Sequence, residues 1–155
     1  MRGKRVYIDT NVYIYVALKH PEFYEGCYAV LEMLTSGEFE GYGSHLILFE
    51  LFGALSRISV EAAYEAVNSY LSLPLTILEL NRETFSYARE IAAASGVTYD
   101  SVHAALVAQN GIDVVVTEDL KDWSRIAGIW RRVMEKFGAK NLTVLSPSRG
   151  TVKSS

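Results

Sequence analysis

The stretch Arg5-Val6-Tyr7-Ile8-Asp9-Thr10-Asn11 decides the fold, because a largely apolar segment passes directly into polar residues that start helices. The segment at residues 5–8 is short and consists mainly of β-branched and aromatic residues, which predicts a buried strand. Asp9 to Asn11 are turn and cap residues, so a helix should follow through about Leu18. A strand that runs straight into a helix is the repeating unit of α/β folds.

The same alternation continues along the chain. Further strands are predicted at residues 41–44, 75–78, 114–116 and 142–145, and further helices at residues 22–35, 46–57, 59–71, 81–96, 98–109 and 126–137. Thr98 is the expected N-cap of the helix at 98–109. We therefore expect one α/β domain over residues 1–145, with a mainly parallel sheet of about five short strands flanked by helices. Residues 146–155 are expected to form a flexible tail.

The composition is that of a single domain in the cytoplasm. The 155 residues are the usual size of one domain, and 50% of them are hydrophobic, which is enough for a buried core. Cys27 is the one cysteine and has no internal disulfide partner, which indicates a reducing compartment. Asp9 and Asn11 interrupt the first apolar run, so it is not a signal peptide. No apolar run is long enough to span a bilayer.

The charge balance narrows the function. The chain has 15 basic and 18 acidic residues and a formal net charge of −3. Proteins that only bind nucleic acid are usually basic, because contacts with phosphate dominate their affinity. The balance therefore disfavours a simple RNA-binding module, but it is compatible with a nuclease whose acidic site holds cations.

Three aspartates occupy positions where active sites of α/β folds are found. Asp9 follows the first predicted strand, and Asp119 comes shortly after the strand at 114–116. Parallel sheets place their sites beyond the carboxyl ends of the strands, so both carboxylates are expected in one crevice. Asp100 lies in the first turn of its helix. For each residue alone, helix capping or interaction with the helix dipole is the alternative.

Glu50 is the fourth candidate acid. A helical core stripe in its segment would consist of Leu48, Leu51, Phe52 and Leu55. Glu50 lies off that stripe, yet its neighbours Phe49 and Leu51 predict a largely covered helix. A carboxylate in such a place needs a partner. An exposed helix face is the alternative.

The four acids together indicate a metal site. Two carboxylates about 4 Å apart repel by roughly 4 kcal/mol at an effective dielectric of about 20. A divalent cation with oxygen ligands removes that repulsion, and Mg²⁺ or Mn²⁺ prefers such ligands. Glu118 and Asp122 flank Asp119 in a polar segment and are expected to be solvated or to stand behind the ligands. The histidines lack zinc-ligand spacing, and His103 is expected to be a hydrogen-bonded structural residue.

The ordered set of motifs resembles the PIN-domain nucleases. Val6-Tyr7-Ile8-Asp9-Thr10-Asn11 resembles their first strand and Asp-Thr-Asn motif, and Glu50 stands where they have a helical glutamate. Tyr99-Asp100-Ser101-Val102-His103-Ala104-Ala105 resembles their third acidic block, and Val115-Val116-Thr117-Glu118-Asp119 the fourth. The resemblance covers about residues 4 to 145. Chain length favours the VapC-like group, the toxins of type II toxin–antitoxin pairs.

The resemblance implies a function and a set of site residues. The catalytic, metal-binding acids would be Asp9, Glu50, Asp100 and Asp119, with Asp122 as a further candidate for the fourth ligand. Asn11 and Thr117 would support the site. The family implies a Mg²⁺ or Mn²⁺ cofactor, single-stranded RNA as substrate, a homodimer and an antitoxin partner. Four tyrosines on two early helices are candidates for an interface, or else core residues: Tyr13, Tyr15, Tyr24 and Tyr28.

Two other functions remain to be separated from this one. Phosphotransferases of the haloacid-dehalogenase type also place an aspartate after their first strand, but they need a second aspartate two residues later. That position is Asn11 here, which disfavours a phosphotransferase of this type. A non-catalytic module with the PIN fold, binding RNA or protein, is the second alternative. A binder has no need to hold repelling acids together, so the acids disfavour it.

Overall fold

A single mixed sheet forms the centre of the computed structural model, which describes residues 1–152. Six strands are found in this range: β1 (Arg5–Ile8), β2 (Glu40–Ser44), β3 (Leu75–Leu78), β4 (Val114–Val116), β5 (Thr143–Ser146) and β6 (Gly150–Val152). Their order is β3-β2-β1-β4-β5-β6. All neighbours pair in parallel except β5 and β6, which are antiparallel. The predicted α/β class with a mainly parallel sheet is confirmed.

Eight helices flank the sheet within the described range. They are α1 (Thr10–Ala17), α2 (Tyr24–Thr35), α3 (His45–Ser56), α4 (Val60–Leu71), α5 (Arg82–Ser95), α6 (Asp100–Gln109), α7 (Leu120–Gly128) and α8 (Trp130–Phe137). Among residues 1–152, no helix is long and apolar enough to cross a membrane.

Helix caps set several of the observed boundaries. Asp9 caps α1 by accepting from the amide of Thr10, and Ser59 caps α4 by accepting from Ala62. Asn81 and Thr84 form a reciprocal capping box at the start of α5. Each cap satisfies amide groups that the first helical turn leaves without partners. These starts follow from a few neighbouring residues, and the sequence predicted them.

Three predicted elements differ from the structure. Thr98 is not the N-cap of α6: the helix begins at Asp100 after Tyr99, without a side-chain cap. The single helix predicted at 126–137 is two helices, and the first begins at Leu120 because Asp119 caps it. The tail predicted from residue 146 contains β6, which pairs with β5. Residues 153–155 of that predicted tail lie outside the described residues.

The predicted tyrosine surface also needs correction. Tyr13 is only 6% exposed and packs edge to face against Tyr70, with the ring centroids 4.9 Å apart. It therefore belongs to the core. Tyr24 and Tyr28 stack on each other at 5.5 Å, and Tyr28 is exposed. Apolar side chains that are more exposed than Tyr28 lie on α3, on α4 and between them, including Phe49, Ile58, Val60 and Tyr64.

The pairing of β1 with β4 positions the site. Ile8 is the register partner of Val116, so the next residues, Asp9 and Thr117, leave the sheet side by side. The amide of Asp9 continues the ladder by donating to the carbonyl of Val116 at 2.9 Å. Both strands are buried at the centre of the sheet, which makes this edge rigid.

Gly43 in β2 lies against the hydroxyl of Tyr70, in a space too small for another side chain. A Cβ atom at Gly43 would lie 1.7 Å from the Tyr70 hydroxyl oxygen and 2.9 Å from its Cζ atom. Tyr70 is 2% exposed, so the ring cannot move into solvent. The same hydroxyl accepts from the amide of Ser44 at 3.2 Å. Glycine at this position therefore allows α4 to pack against the sheet.

Gly43→Ala should lower the free energy of unfolding by about 1–3 kcal/mol, because the added methyl group overpacks a closed core. The matched control is Gly53→Ala in α3, where a Cβ meets no atom within 4 Å of the described chain. That change should stabilise the protein by about 0.5–1 kcal/mol, since alanine favours helices over glycine. Urea unfolding of both variants is the measurement. Equal stabilities for the two would contradict the packing described here.

Candidate active site

Asp9 is a buried carboxylate that four donors hold in place. It is 3% exposed at the carboxyl end of β1. Its Oδ1 accepts from the amide of Thr10 at 2.8 Å. Its Oδ2 accepts from Asn11 Nδ2 at 3.2 Å, Thr117 Oγ1 at 2.9 Å and Trp123 Nε1 at 3.2 Å. These four hydrogen bonds satisfy the polar atoms of a side chain that is removed from water. Oδ1 keeps a lone pair for a further ligand.

Asn11 and Thr117 connect the loop after β1 to the loop after β4. Asn11 Nδ2 donates to Thr117 Oγ1 at 3.0 Å, and Asn11 Oδ1 accepts from the amide of Glu118 at 3.0 Å. Thr117 Oγ1 also accepts from the amide of Asp119 at 3.0 Å. The Thr117 hydroxyl therefore uses its one donor and both of its lone pairs in hydrogen bonds. The two side chains fix where Asp119 starts relative to Asp9.

Asp100 lies among three other aspartates at this edge. Carboxylate oxygens of Asp100, Asp119 and Asp122 lie within 4.8 Å of one another, and Asp100 is also within that distance of Asp9. Burial raises the pKa of Asp100 to about 8, together with the negative charge of Asp9 and a hydrogen bond with Asp119. Burial and the neighbouring carboxyl groups thus both favour the protonated form of Asp100 when no cation is bound.

Asp119 has two roles in the structure. Its Oδ1 accepts from the amide of Asp122 at 3.4 Å and so caps α7. Its carboxylate also belongs to the acidic cluster with Asp100. The capping and site roles considered from the sequence are therefore compatible. Asp122, in the first turn of α7, reaches the same cluster.

Glu50 joins the site through a histidine. Its Oε1 lies 2.7 Å from His103 Nε2 and accepts from Thr10 Oγ1 at 2.6 Å. Burial raises the pKa of Glu50, but the hydrogen bond and positive charge of His103 and the hydroxyl of Thr10 outweigh burial. The pKa of this carboxyl is consequently lowered. Among residues 1–152, Glu50 belongs to neither of the close groups of three ligand atoms that contain Asp100.

The surroundings of Glu50 differ from the predicted covered helix. The buried stripe of α3 is Ile47, Leu51 and Leu55, spaced four residues apart. Phe49 is 79% exposed and Phe52 is also exposed, so one face of α3 is open to solvent. Glu50 is half-buried between these faces. The carboxylate of Glu50 is therefore held by hydrogen bonds with Thr10 and His103, and its helix is less covered than the sequence predicted.

His103 is the residue whose place the sequence did not reveal. It is 1% exposed, and both ring nitrogens have partners, as expected of a structural histidine. Those partners are Glu50 at Nε2 and the Tyr7 hydroxyl at Nδ1, 2.6 Å away. Burial lowers the pKa of His103, but Glu50, Asp9 and Asp100 raise it above its ordinary value. The surrounding carboxyl groups therefore favour the protonated form of this buried imidazole. The signal in the sequence is its spacing of three from Asp100, which places both on one helix face.

Comparisons with known proteins agree with this architecture. The family model of the PIN domain matches residues 6–129. A search of curated protein sequences finds no significant match.

Three solved structures illustrate the likeness in fold. VapBC2 from Rickettsia felis, bound to a promoter DNA fragment, has 21% identity and a TM-score of 0.62, covering 91% of this chain and 97% of the other. DNA-bound VapBC from Salmonella typhimurium has 21% identity and a TM-score of 0.63, covering 95% and 99%. VapC20 from Mycobacterium tuberculosis, a toxin that cleaves the sarcin–ricin loop, has 16% identity and a TM-score of 0.64, covering 77% and 93%. At these identities the likeness establishes the fold alone.

Asp100→Asn should change how stability depends on pH in metal-free buffer. The pKa of Asp100 is about 8 in the folded protein, compared with about 3.9 in an unfolded chain. The folded state then holds a proton that the unfolded state releases, so the free energy of unfolding falls between about pH 4 and pH 8. The asparagine variant lacks this loss. Its melting temperature in EDTA should fall less over that range, with about 2–4 °C for each kcal/mol recovered.

Glu61→Gln is the control for this measurement, because Glu61 is an exposed carboxylate on α4 outside the cluster. Its pH profile should follow that of the unmodified protein. Parallel profiles for the unmodified protein and Asp100→Asn would contradict the protonation of Asp100 described above.

Proposed function

This chain belongs to the PIN domain family, and from that premise we propose that it is a metal-dependent endoribonuclease that hydrolyses phosphodiester bonds of single-stranded RNA. PIN domains are generally endonucleases and typically depend on divalent metals. The observation that carries the proposal is the gathering of Asp9, Asp100 and Asp119 at the carboxyl ends of the central strands.

The residues present fit a hard divalent cation. Asp9, Asp100, Asp119 and Asp122 offer carboxylate oxygens at close range, which are ligands that Mg²⁺ and Mn²⁺ prefer. The pKa of Asp100, which burial and the charge of Asp9 raise, supports the proposal, because a bound cation would favour the deprotonated carboxylate. We assign Asp9, Asp100 and Asp119 as ligands, with Asp122 as the alternative to Asp119. When bound, the cation supplies positive charge to the phosphate oxygens and makes water more acidic.

The side chains of the protein divide the remaining work. Asp9 is fixed by its four donors and offers Oδ1 toward the cluster. Asn11 and Thr117 hold the two loops in register, as supporting residues. The lowered pKa of Glu50 keeps it deprotonated, and part of its side chain faces solvent, so we assign it to orient the attacking water by accepting a hydrogen bond. His103 keeps that carboxylate oriented by its 2.7 Å hydrogen bond.

A toxin role within a toxin–antitoxin pair is the biological setting that we propose. Structures with this fold include VapBC toxin–antitoxin complexes. A protein antitoxin would then be the natural partner, RNA the substrate, and the cytoplasm the place of action. The exposed apolar side chains of α3 and α4 offer a surface for a second copy of the chain, because exposed apolar patches mark protein interfaces.

Asp9→Asn should abolish metal-dependent cleavage of single-stranded RNA. Loss of a residue that only supports a metal ligand costs about 10–100-fold, so loss of a ligand should cost more than about 100-fold. Cleavage rates with Mg²⁺, with Mn²⁺ and with EDTA are the measurement. Glu135→Gln, an exposed carboxylate on α8, is the control and should cleave normally. Metal binding by calorimetry gives a second reading. A protein that binds no divalent metal and cleaves no RNA would instead be a non-catalytic PIN-fold module.

Asp119→Asn and Asp122→Asn separate the two candidates for the last ligand. Asp119 also contacts Asp100, so its loss should weaken metal binding and cleavage more than the loss of Asp122. Calorimetry and cleavage rates of both variants decide this. Normal cleavage by Asp119→Asn together with loss in Asp122→Asn would reverse the assignment.

The homodimer is tested by light scattering at micromolar concentration. The unmodified protein should have twice the chain mass of 17.3 kDa. Val60→Glu with Tyr64→Glu should give the chain mass, because both side chains are exposed on α4 and the charges would prevent apolar contact. The melting temperature of the double variant should be that of a folded domain. A single-chain mass for the unmodified protein excludes the dimer.

A further inference from the structure

A cavity of about 250 Å³ lies beside Asp119, between its loop and the turn that joins β5 to β6. Its lining includes Phe23, Glu118, Lys121 and Arg149. We propose that this cavity binds the nucleotide next to the cleaved phosphodiester bond of a single-stranded RNA, with its phosphate at Lys121 and Arg149 and its base against Phe23. This inference rests on the ribonuclease function proposed above.

The two basic residues of the cavity are available to a phosphate. Lys121 and Arg149 are exposed, and neither has a carboxylate within 4 Å among residues 1–152. Other basic residues, such as Arg131 and Lys136, already pair with glutamates. Two unpaired basic side chains beside an acidic centre can hold a flanking phosphate. The carboxylates would meanwhile hold a metal ion at the phosphate that is cleaved.

Glu118 fastens the turn that carries Arg149. Its carboxylate accepts from the hydroxyl groups of Ser146 and Ser148 and from the amide of Ser148, at 3.2 Å for the amide. The amide of Glu118 itself donates to Asn11 in the site. The amide of Arg149 donates to Ser146 Oγ at 3.1 Å. Arg149 is therefore placed relative to Asp119 by a continuous set of hydrogen bonds, although it comes from a different part of the chain.

Phe23 provides an aromatic surface on the other side of the cavity. Its ring stacks on His20, with centroids 4.8 Å apart and planes 25° apart, and lies tilted against Tyr15, with centroids 5.0 Å apart. His20 Nδ1 accepts from the amides of Glu22 and Phe23, which fixes the turn before α2. Aromatic side chains beside cations are the usual combination for binding single-stranded nucleic acid, because bases stack while phosphates pair. An acidic peptide would use the cations but leave the ring without a flat partner.

The first test is RNA binding without cleavage. A fluorescein-labelled single-stranded RNA of about 12 nucleotides, a length suited to such sites, is titrated in EDTA and followed by anisotropy. Arg149→Ala and Lys121→Ala should each weaken binding and make the slope of log K against log salt shallower by about 0.7, the value for one lost phosphate contact. Arg131→Ala, 91% exposed on α8 and outside the cavity, is the matched control and should leave the slope unchanged.

Phe23 is tested by two substitutions of different character. Phe23→Leu should weaken RNA binding on the order of tenfold without changing the salt slope, because stacking is lost and no charge changes. Phe23→Tyr keeps the ring and should bind like the unmodified protein. If Phe23→Leu lowers the melting temperature, the exposed Lys121 and Arg149 variants still decide the proposal.

Cleavage measured with Mn²⁺ separates this inference from the proposed function. The Lys121 and Arg149 variants should have a higher KM and a kcat within about twofold of the unmodified protein. The reason is that the lost contacts stabilise the bound substrate and the transition state equally. Unchanged binding, salt slope and KM in these variants, with normal cleavage by the unmodified protein, would overturn the cavity assignment and leave the nuclease intact. Absence of cleavage by the unmodified protein would overturn both. Competition by polyglutamate as strong as that by unlabelled RNA would assign the cavity to an acidic peptide.

Discussion

The buried carboxylate of Asp9 is the constraint on which the site depends. A polar side chain that is 3% exposed is expensive to bury unless hydrogen-bond donors surround it. Here the donors come from the start of α1, from the end of β4 and from α7, through Thr10, Asn11, Thr117 and Trp123. Satisfying one carboxyl group therefore requires three elements to meet at a single point. The order of the sheet, with β4 beside β1, provides that meeting point.

Negative charge is concentrated at this point, and the protein neutralises only part of it. The carboxyl groups of Glu50, Asp9 and Asp100 raise the pKa of His103 and so favour its protonated form, and the raised pKa of Asp100 favours retention of its own proton. The sequence predicted a divalent cation as the means of neutralisation. The structure adds an internal histidine held by Tyr7 and Glu50. The aspartates closest to one another remain poised for a cation, whereas Glu50 has a partner of its own.

The loop from Thr117 to Asp119 connects the acidic cluster with the exposed turn between β5 and β6. Thr117 points back to Asp9, Asp119 enters the acidic cluster, and Glu118 holds the turn between β5 and β6. Three consecutive residues thus face three different parts of the molecule. A short strand followed by such a loop is a compact way to connect a rigid sheet with variable surroundings.

The amino-acid sequence was enough to predict the alternation of strands and helices, most of the helix starts, and the placement of Asp9, Asp100 and Asp119 at the sheet edge. Those features depend on periodicity and caps, which a few neighbouring residues encode. Tertiary structure alone decided that His103 lies beside Glu50, that Tyr13 is in the core, and that the segment after residue 146 returns as β6. The sequence did not predict the start of α7, because Asp119 stands among polar residues that are typical of a loop. Burial, pairing and charge neutralisation depend on which distant surfaces meet, and this is set by the packing of the whole chain.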